Sequence, residues 1–413
     1  MPALQPVRGT RDILPDEMRR HRRVEDAACA IAARYGFAEM ATPIFEFTDV
    51  FVRTLGDTSD IVTKEMYSFE RSGDHLTLRP ENTAGVARAF ISNGLQQQLP
   101  LKVFYRGPMF RYERPQKGRM RQFHQIGVEL LGVADPLADV ETIALGRHVL
   151  EELGIADKTV LELNTLGDAE SRDAYRARLV AYLRDFEDKL SEDSRARLGR
   201  NPLRILDSKD EDDRRIVAGA PVMADSLNDA SQAFFAALLK GLEACGVPYR
   251  LNPRLVRGLD YYSHTAFEFT TEALGAQGTV LAGGRYDGLI GQMGGPSTPG
   301  IGWAAGVERL ALLIDDPGPG ARPIAVVPVS PTEADAALCL VQRLRRAGYA
   351  ADLGYSGNVG KRMKRADKIG AGAAIVLGET ELARDVAMVR DMKTGEQVEV
   401  PLAELEARLA GYR

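Results

Sequence analysis

The sequence predicts an α/β protein in two parts: an α+β core interrupted by a helical insertion, then a small α/β domain. Three observations carry this. Strand-like runs fill two blocks, one before residue 168 and one, with glycine pairs and aromatic residues, after residue 248. Between them lie Arg, Asp, Glu and Ala at helical spacing, with few β-branched residues. Finally, Asp315-Asp316-Pro317-Gly318-Pro319-Gly320 punctuates the chain as a linker, and beyond it strand and helix patterns alternate. The expected boundaries are a core over 1–320, its insertion over about 168–248, and a second domain over 321–413.

Composition narrows the function classes. At 413 residues the chain is too long for one ordinary core, so two or three domains are expected. The net charge is −5, so the chain as a whole is no polycation, and any nucleic-acid surface has to be local. Cys29, Cys245 and Cys339 lie far apart with no CxxC pair, which argues against a zinc site or a disulfide framework and fits a reducing, cytoplasmic compartment. The opening MPALQPVRGTRDILPDE lacks the apolar stretch of a secretory signal. No apolar run reaches the ~18 residues of a membrane span.

Taken in order, residues 1–15 read as extended and Pro-bounded. A helix follows over roughly 16–35, with Val24, Ala28, Ile31 and Tyr35 on one face, Asp16 placed to cap it and Gly36 to stop it. Phe37 to Phe47 reads as a strand broken at Pro43, and a long helix followed by such a segment suits a scaffold or subunit interface. Short strands over 64–69 and 76–79 lead through Arg79-Pro80-Glu81-Asn82-Thr83 into a helix over 84–93. At that junction Glu81 admits two uses: capping the helix dipole, or holding a substrate ammonium.

Phe104 to Glu129, FYRGPMFRYERPQKGRMRQFHQIGVE, is read as strand–loop–strand, with Pro115-Gln116-Lys117-Gly118 as the loop. It carries Arg106, Arg111, Arg114, Lys117, Arg119 and Arg121 against one internal acid, Glu113. Cations held on the inner face of rigid strands would grip polyanions, since guanidinium forks match phosphate oxygens. By charge alone the same run serves as a solvated hairpin.

A helix over Asp135 to Leu153 and a strand over Val160 to Leu163 close this block, and the insertion's interleaved charges read as plain solvated face. Strand texture resumes at Tyr249. Arg254-Leu255-Val256-Arg257-Gly258-Leu259-Asp260-Tyr261-Tyr262 concentrates Arg, Asp and Tyr, and Gly283-Gly284-Arg285-Tyr286 follows. Glycine pairs in strands mark close approach of another backbone or of a flat ligand. Gly300-Ile301-Gly302-Trp303-Ala304-Ala305-Gly306 then runs into an apolar helix in which Glu308 and Arg309 need partners or a ligand. In the second domain the helix over 358–369 carries Lys361, Arg362, Lys364, Arg365 and Lys368, a face able to dock on a nucleic-acid backbone or merely to solubilise.

No Walker A loop, GxGxxG, HExxH or GxSxG unit appears. The order of an Arg-bearing strand–loop–strand, a Gly-rich strand and an Arg-bearing helix instead resembles the class II aminoacyl-tRNA synthetases. FRYERPQKGRMRQFHQIGVE is similar to their second signature motif and GIGWAAGVERLALL to their third. LVRGLDYY and GGRYDGL resemble the two signatures of the histidyl-tRNA synthetase family, and the resemblance covers essentially the whole chain.

That resemblance implies an antiparallel-sheet core, a C-terminal anticodon-binding domain and a homodimer. It implies ATP-dependent ligation of L-histidine to histidine tRNA through a histidyl-adenylate, with Mg²⁺ as cofactor and no metal ligand assigned to a protein side chain. Carried onto matching positions, Arg111, Arg119 and Arg309 would hold ATP, and Arg257 would be an added catalytic cation on the α-phosphate. Glu81, Thr83 and Gln125 would meet the amino acid's ammonium, and Glu129, Tyr261, Tyr262 and Tyr286 its imidazole. Gln116 would meet the tRNA acceptor end, and Lys361, Arg362, Lys364 and Arg365 its backbone. Asn82 departs from the glycine found in many relatives, which leaves the shape of that loop open. The regulatory subunit of ATP phosphoribosyltransferase is a similar, non-catalytic relative, but it lacks the C-terminal domain and the arginines that are present here. A synthetase for another amino acid and a plain tRNA-binding module are further alternatives. The first is opposed by LVRGLDYY and GGRYDGL, and the second has no use for three separated arginines.

Overall fold

A computed structural model describes residues 3–56, 61–116, 118–256, 261–275, 278–318 and 320–412. Contacts divide the chain into one unit over Met1–Asp316 and another over Pro317–Arg413. The first is built on strands β1 (Ala38–Glu39), β2 (Leu101–Phe110), β3 (Gln122–Leu131), β4 (Val160–Thr165), β5 (Arg250–Leu251), β6 (Ser263–Thr270), β7 (Thr279–Arg285) and β8 (Gly300–Gly306). They form one sheet in the order β1-β2-β3-β8-β7-β6-β4-β5. From β2 to β4 all neighbours are antiparallel, and the short edge strands pair parallel. This is the antiparallel core expected from the sequence.

Helices α1 (Pro15–Arg34), α2 (Thr83–Ser92), α3 (Leu137–Glu152) and α4 (Val307–Ala311) surround it. Period-two alternation decides which side chains meet them. Phe104, Ile126, Val128, Leu130, Ile301, Trp303 and Ala305 turn to one face and pack on Val24, Ala28 and Ile31 of α1 and Ile143 and Val149 of α3. Tyr105 turns to the opposite face and joins a second cluster with Tyr261, Tyr262 and Tyr286. On β8 the residues alternating with that core are Gly300, Gly302, Ala304 and Gly306, so this face of the strand is nearly bare and leaves room above the sheet.

Several local expectations change. Asp16 does not cap α1: the helix opens at Pro15, whose missing N–H costs nothing in a first turn, and Asp16 pairs with Arg19 at 2.9 Å. Phe37 to Phe47 is not one strand. Ala38–Glu39 joins the large sheet, while Phe45–Phe47 forms a three-stranded sheet with Tyr67–Arg71 and Asp74–Leu78. Ile61–Glu65 is a π-helical turn, so the strand expected from residue 64 starts at Tyr67. The insertion comprises helices Ala169–Arg184, Glu192–Leu198, Glu211–Ala218 and Asp229–Ala244. Its Tyr175, Leu179 and Leu183 pack with Ile205, Ile216 and Val217.

The second unit has a five-stranded sheet in the order Ala351–Leu353, Ile324–Pro328, Ala373–Leu377, Val386–Asp391, Gln397–Pro401. The first three strands are parallel and the last two antiparallel. Ile324 and Val326 pack with Leu340 and Leu344 of helix Ala334–Arg346, and Ala325 and Val327 with Ala366 of α5 (Val359–Lys368), so the two helices lie on opposite faces. The helix expected from residue 402 is broken, with α-helix only over Leu405–Arg408. Among the described residues no helix is long and apolar enough to cross a membrane.

Candidate active site

A cavity of 480 Å³ opens above the bare face of β8. Two groups of side chains line it. Glu81, Thr83, Gln125, Tyr261, Tyr262 and Tyr286 form one, and Arg111, Arg119 and Arg309, with Glu113, form the other. The sequence scatters these residues over more than half of the first unit, and the sheet gathers them.

The first group is a nest of buried acids and phenols. Glu81, 6% exposed, accepts from the backbone N–H groups of Thr83 (2.7 Å) and Ala84 (3.0 Å), the first turn of α2. It does cap the helix, and it also lines the cavity. Glu129 sits behind it, 1% exposed, and accepts from the Thr83 hydroxyl at 2.7 Å and from the Tyr286 hydroxyl. Burial raises the pKa of Glu81, and raises that of Glu129 to about 8. Tyr261 packs tilted on Tyr262 (4.6 Å) and edge-on to Tyr286 (5.8 Å). Asn82, 1% exposed, turns its amide oxygen inward, 2.6 Å from the Thr42 hydroxyl and 3.3 Å from the buried Arg79 guanidinium. The loop shape that the sequence left open is therefore held by this side chain.

The second group carries an excess of positive charge. Arg111 donates to the Pro80 carbonyl (2.8 Å), stacks near Phe123 and lies 3.8 Å from Glu113. Arg119 pairs with the same carboxylate. Arg309 donates to the Thr279 carbonyl, and its pKa is lowered by burial and then by nearby Arg119. A buried arginine whose charge is further disfavoured by a neighbouring cation describes a space suited to an anion.

Some expected contributors lie elsewhere. Arg106 turns to α1 and pairs with Glu39 (2.9 Å) and Asp26 (3.5 Å). Arg121 stacks on Tyr112 (3.8 Å) and donates to the Arg8 carbonyl (3.1 Å). Arg114 and Gln116 are exposed on the loop. The inner face thus has fewer cations than the charge count suggested: the strand turns Arg106 away, and the loop outside the strands sends Arg114 to solvent and Arg121 to Tyr112 and Arg8. Lys117 and Arg257 lie outside the described residues. On α5, Lys361, Lys364, Arg365 and Lys368 are exposed, with Arg365 bonded to Asp352 at 3.1 Å. Arg362 is corrected: it is 7% exposed and donates to the Pro328 carbonyl, so it is not on the solvent-facing surface.

The glycine pairs admit protein side chains. A Cβ on Gly284 would collide with the Tyr262 ring, and one on Gly302 with the Glu129 carboxylate.

Residues 9–310 match the family described as Histidyl-tRNA synthetase. The chain belongs to this family. Residues 323–411 match the Anticodon binding domain. A histidine–tRNA ligase of Rhodospirillum rubrum is 65% identical over 414 residues, covering 100% of both chains. One from Gluconacetobacter diazotrophicus is 60% identical over 412 residues, covering 100% of this chain and 99% of that one. The crystal structure of an apo histidyl-tRNA synthetase from S. aureus superposes with a TM-score of 0.83 at 34% identity, covering 98% of this chain and 99% of that one. A Bacillus halodurans structure described as an ATP phosphoribosyltransferase regulatory subunit/histidyl-tRNA synthetase shares the fold, at 22% identity and a TM-score of 0.68.

Part of the cavity lining carries no signal in the sequence. Glu113, Glu268, Asp207 and Lys209 also line the cavity. Asp207 and Lys209 belong to the insertion, most of whose surface read as solvated face; charged residues amid interleaved charge give no local signal of the pocket they face.

Proposed function

We propose that the two groups of the cavity serve the two steps by which this synthetase charges histidine tRNA. In the first step the histidine carboxylate attacks the α-phosphorus of ATP, an O–P bond forms, and the bond to pyrophosphate breaks. In the second a ribose hydroxyl of the tRNA 3′ end attacks the carbonyl of the adenylate and AMP leaves. Neither step needs a dedicated protein base for the central bond change as much as it needs anions held together and new charge met by fixed cations. Arg111 faces the carboxylate and α-phosphate, Arg309 and Arg119 the distal phosphates, and Arg257 adds a cation during the attack. Glu81 keeps lone pairs for the substrate ammonium, with Thr83 and Gln125 beside it. Glu129, Tyr261, Tyr262 and Tyr286 read the imidazole: a site built to pair both ring nitrogens rejects rings that lack them, because its own buried groups would be left unpaired.

The observation that carries this reading is the meeting of an arginine cluster and a buried carboxylate–phenol cluster in one cavity. Glu113 and Glu268 are hard oxygen donors beside the arginines, a set that fits Mg²⁺ arriving with the nucleotide. When bound, Mg²⁺ would neutralise phosphate charge. Gln116 on the hairpin loop meets the acceptor end of the tRNA, and the exposed Lys361, Lys364 and Arg365 meet its backbone. The family's homodimer finds a surface on the three-stranded sheet, where Phe45, Phe47 and Phe69 are 54%, 58% and 45% exposed while Glu46 and Thr77 are buried. A cytoplasmic location fits the three free cysteines.

The deciding assay is ATP–pyrophosphate exchange with each amino acid in turn. Histidine-dependent exchange is expected; exchange driven by another amino acid, or none, would overturn the reading. The regulatory-subunit alternative is less supported, since the relatives at 65% and 60% identity over the full chain are ligases.

A further inference from the structure

Outside the two substrate groups, one cluster joins three elements at a corner of the site. β8 pairs with β3 as far as Gly306 opposite Gln125, and then the chain turns into α4. The next N–H along β3, that of His124, has lost its strand neighbour on that side, while Pro108 sits across from it on β2. The Glu308 carboxylate takes the missing strand's place. It accepts from the His124 N–H at 2.9 and 3.0 Å, and its Oε1 lies 2.9 Å from Nδ1 of the same residue. Glu308 is 8% exposed, and the bond to it raises the pKa of His124, which favours an imidazolium–carboxylate pair. From α1, His21 closes the back, 1% exposed, with its ring edge-on to His124 at 5.7 Å.

Each clamp residue has a substrate-facing neighbour: Gln125 follows His124 and Arg309 follows Glu308. We infer that the His124–Glu308 clamp sets the position of Arg309 relative to Gln125, and so the alignment of triphosphate and histidine. The inference rests on the proposed use of those two residues. His124 acts through its neighbours and is a positioning residue, and it holds the Glu308 carboxylate, which itself borders the cavity.

The same three side chains offer metal-ligand atoms within 4.8 Å of one another. Both Glu308 oxygens are already engaged by His124, and the His21 Nε2, although it has no hydrogen-bond partner, lies 3.8 Å from a Glu17 oxygen. The geometry points to a hydrogen-bonded clamp and not to a cation site.

The test compares the full chain with His124→Ala, His124→Asn and His21→Phe. Asn restores an N–H near the place of Nδ1, and Phe keeps the edge contact without a ligand atom. Exchange kinetics give KM for ATP and histidine separately from kcat, and calorimetric titration gives Kd for ATP without chemistry. His124→Ala should raise KM and Kd for ATP and lower kcat/KM by about 10- to 100-fold, the scale of a misplacement near 1 Å. His124→Asn should recover to within about threefold of wild type. Glu308→Gln serves the same comparison if His124→Ala does not fold. Unchanged KM and Kd in the Ala variant, or an Asn variant no better than Ala, would overturn the clamp. So would stoichiometric zinc in the wild type that is lost in His21→Phe. If the wild type gave no histidine-dependent exchange, the functional reading would fail, and the ATP Kd values would still decide the clamp.

Discussion

Replacing Glu129 with Gln should remove a pH dependence that the wild type carries in its core. Glu129 is 1% exposed, and burial raises its pKa from 4.5 to about 8 against the pull of hydrogen bonds from Tyr286 and Thr83. That rise corresponds to about 5 kcal/mol of preference for the protonated form in the folded state. The folded protein holds this proton more tightly than the unfolded chain does, so stability falls as pH climbs above 4.5, and the loss is complete once pH passes 8. Allowing for relaxation around the charge, the first unit should lose about 3–5 kcal/mol more in wild type than in Glu129→Gln between about pH 5 and pH 9. Urea unfolding at a series of pH values measures this. The single tryptophan, Trp303, packs in the core of that unit with its indole N–H 3.0 Å from the Thr142 carbonyl, so its fluorescence reports on the relevant unit. The profile of kcat/KM for histidine should also bend near the same pH in wild type and lose the bend in the variant. Parallel stability curves for the two proteins would show that Glu129 titrates normally and that burial is not controlling it.

Asn82→Gly removes the acceptor that Thr42 (2.6 Å) and Arg79 (3.3 Å) use and loosens the backbone between Glu81 and Thr83. At about 1–2 kcal/mol, this should raise the histidine KM roughly 5- to 30-fold in the exchange assay with kcat little changed; an unaltered KM would mean that Glu81's own bonds hold the loop. Arg285, 0% exposed, donates to the equally buried Asp139, to the Val133 carbonyl (3.0 Å) and to Asp287 (3.0 Å), and it holds the strand end next to Tyr286. Arg285→Met should cost about 3–5 kcal/mol by stranding Asp139, and adding Asp139→Leu should recover most of it in denaturant unfolding; a single-variant cost below about 1 kcal/mol would contradict the pairing. On its proposed role as a cation on the α-phosphate, Arg257→Ala should cut the exchange kcat far more than it raises the histidine KM, because such a charge develops in the transition state; normal turnover with only a raised KM would refute that role.

The architecture was largely legible because its signals are local. The apolar run at Val103–Tyr105 and the alternation of Ile301, Trp303 and Ala305 with Gly300, Gly302, Ala304 and Gly306 mark strands, and the shift to helical spacing near residue 168 marks the insertion. The misplaced elements were those without such a pattern: the π-helical turn at Ile61–Glu65, the division of Phe37 to Phe47 between two sheets, and the α1 start, where Pro15 needed no cap.

The sequence by itself determined the order of the chemistry: where the arginines, the glycine-bare strand and the tyrosine-rich segments fall along the chain, and hence the family. Only the tertiary structure decided which charges share a space. Arg111, Arg119 and Arg309 converge while Arg106, Arg121 and Arg362 are spent on Glu39, the Arg8 carbonyl and the Pro328 carbonyl. Asp207 and Lys209 reach the cavity from an insertion whose interleaved charges read mostly as solvated face. Glu308 finds His124, 184 residues away, because β8 ends at Gly306, opposite Gln125, while β3 extends three residues further to Gln122. A charged side chain has the same signature in sequence whether it faces water, a carbonyl or a substrate. Its role is set by what the sheet's register and the helix ends bring within about 3 Å of it, and that is a property of the folded chain.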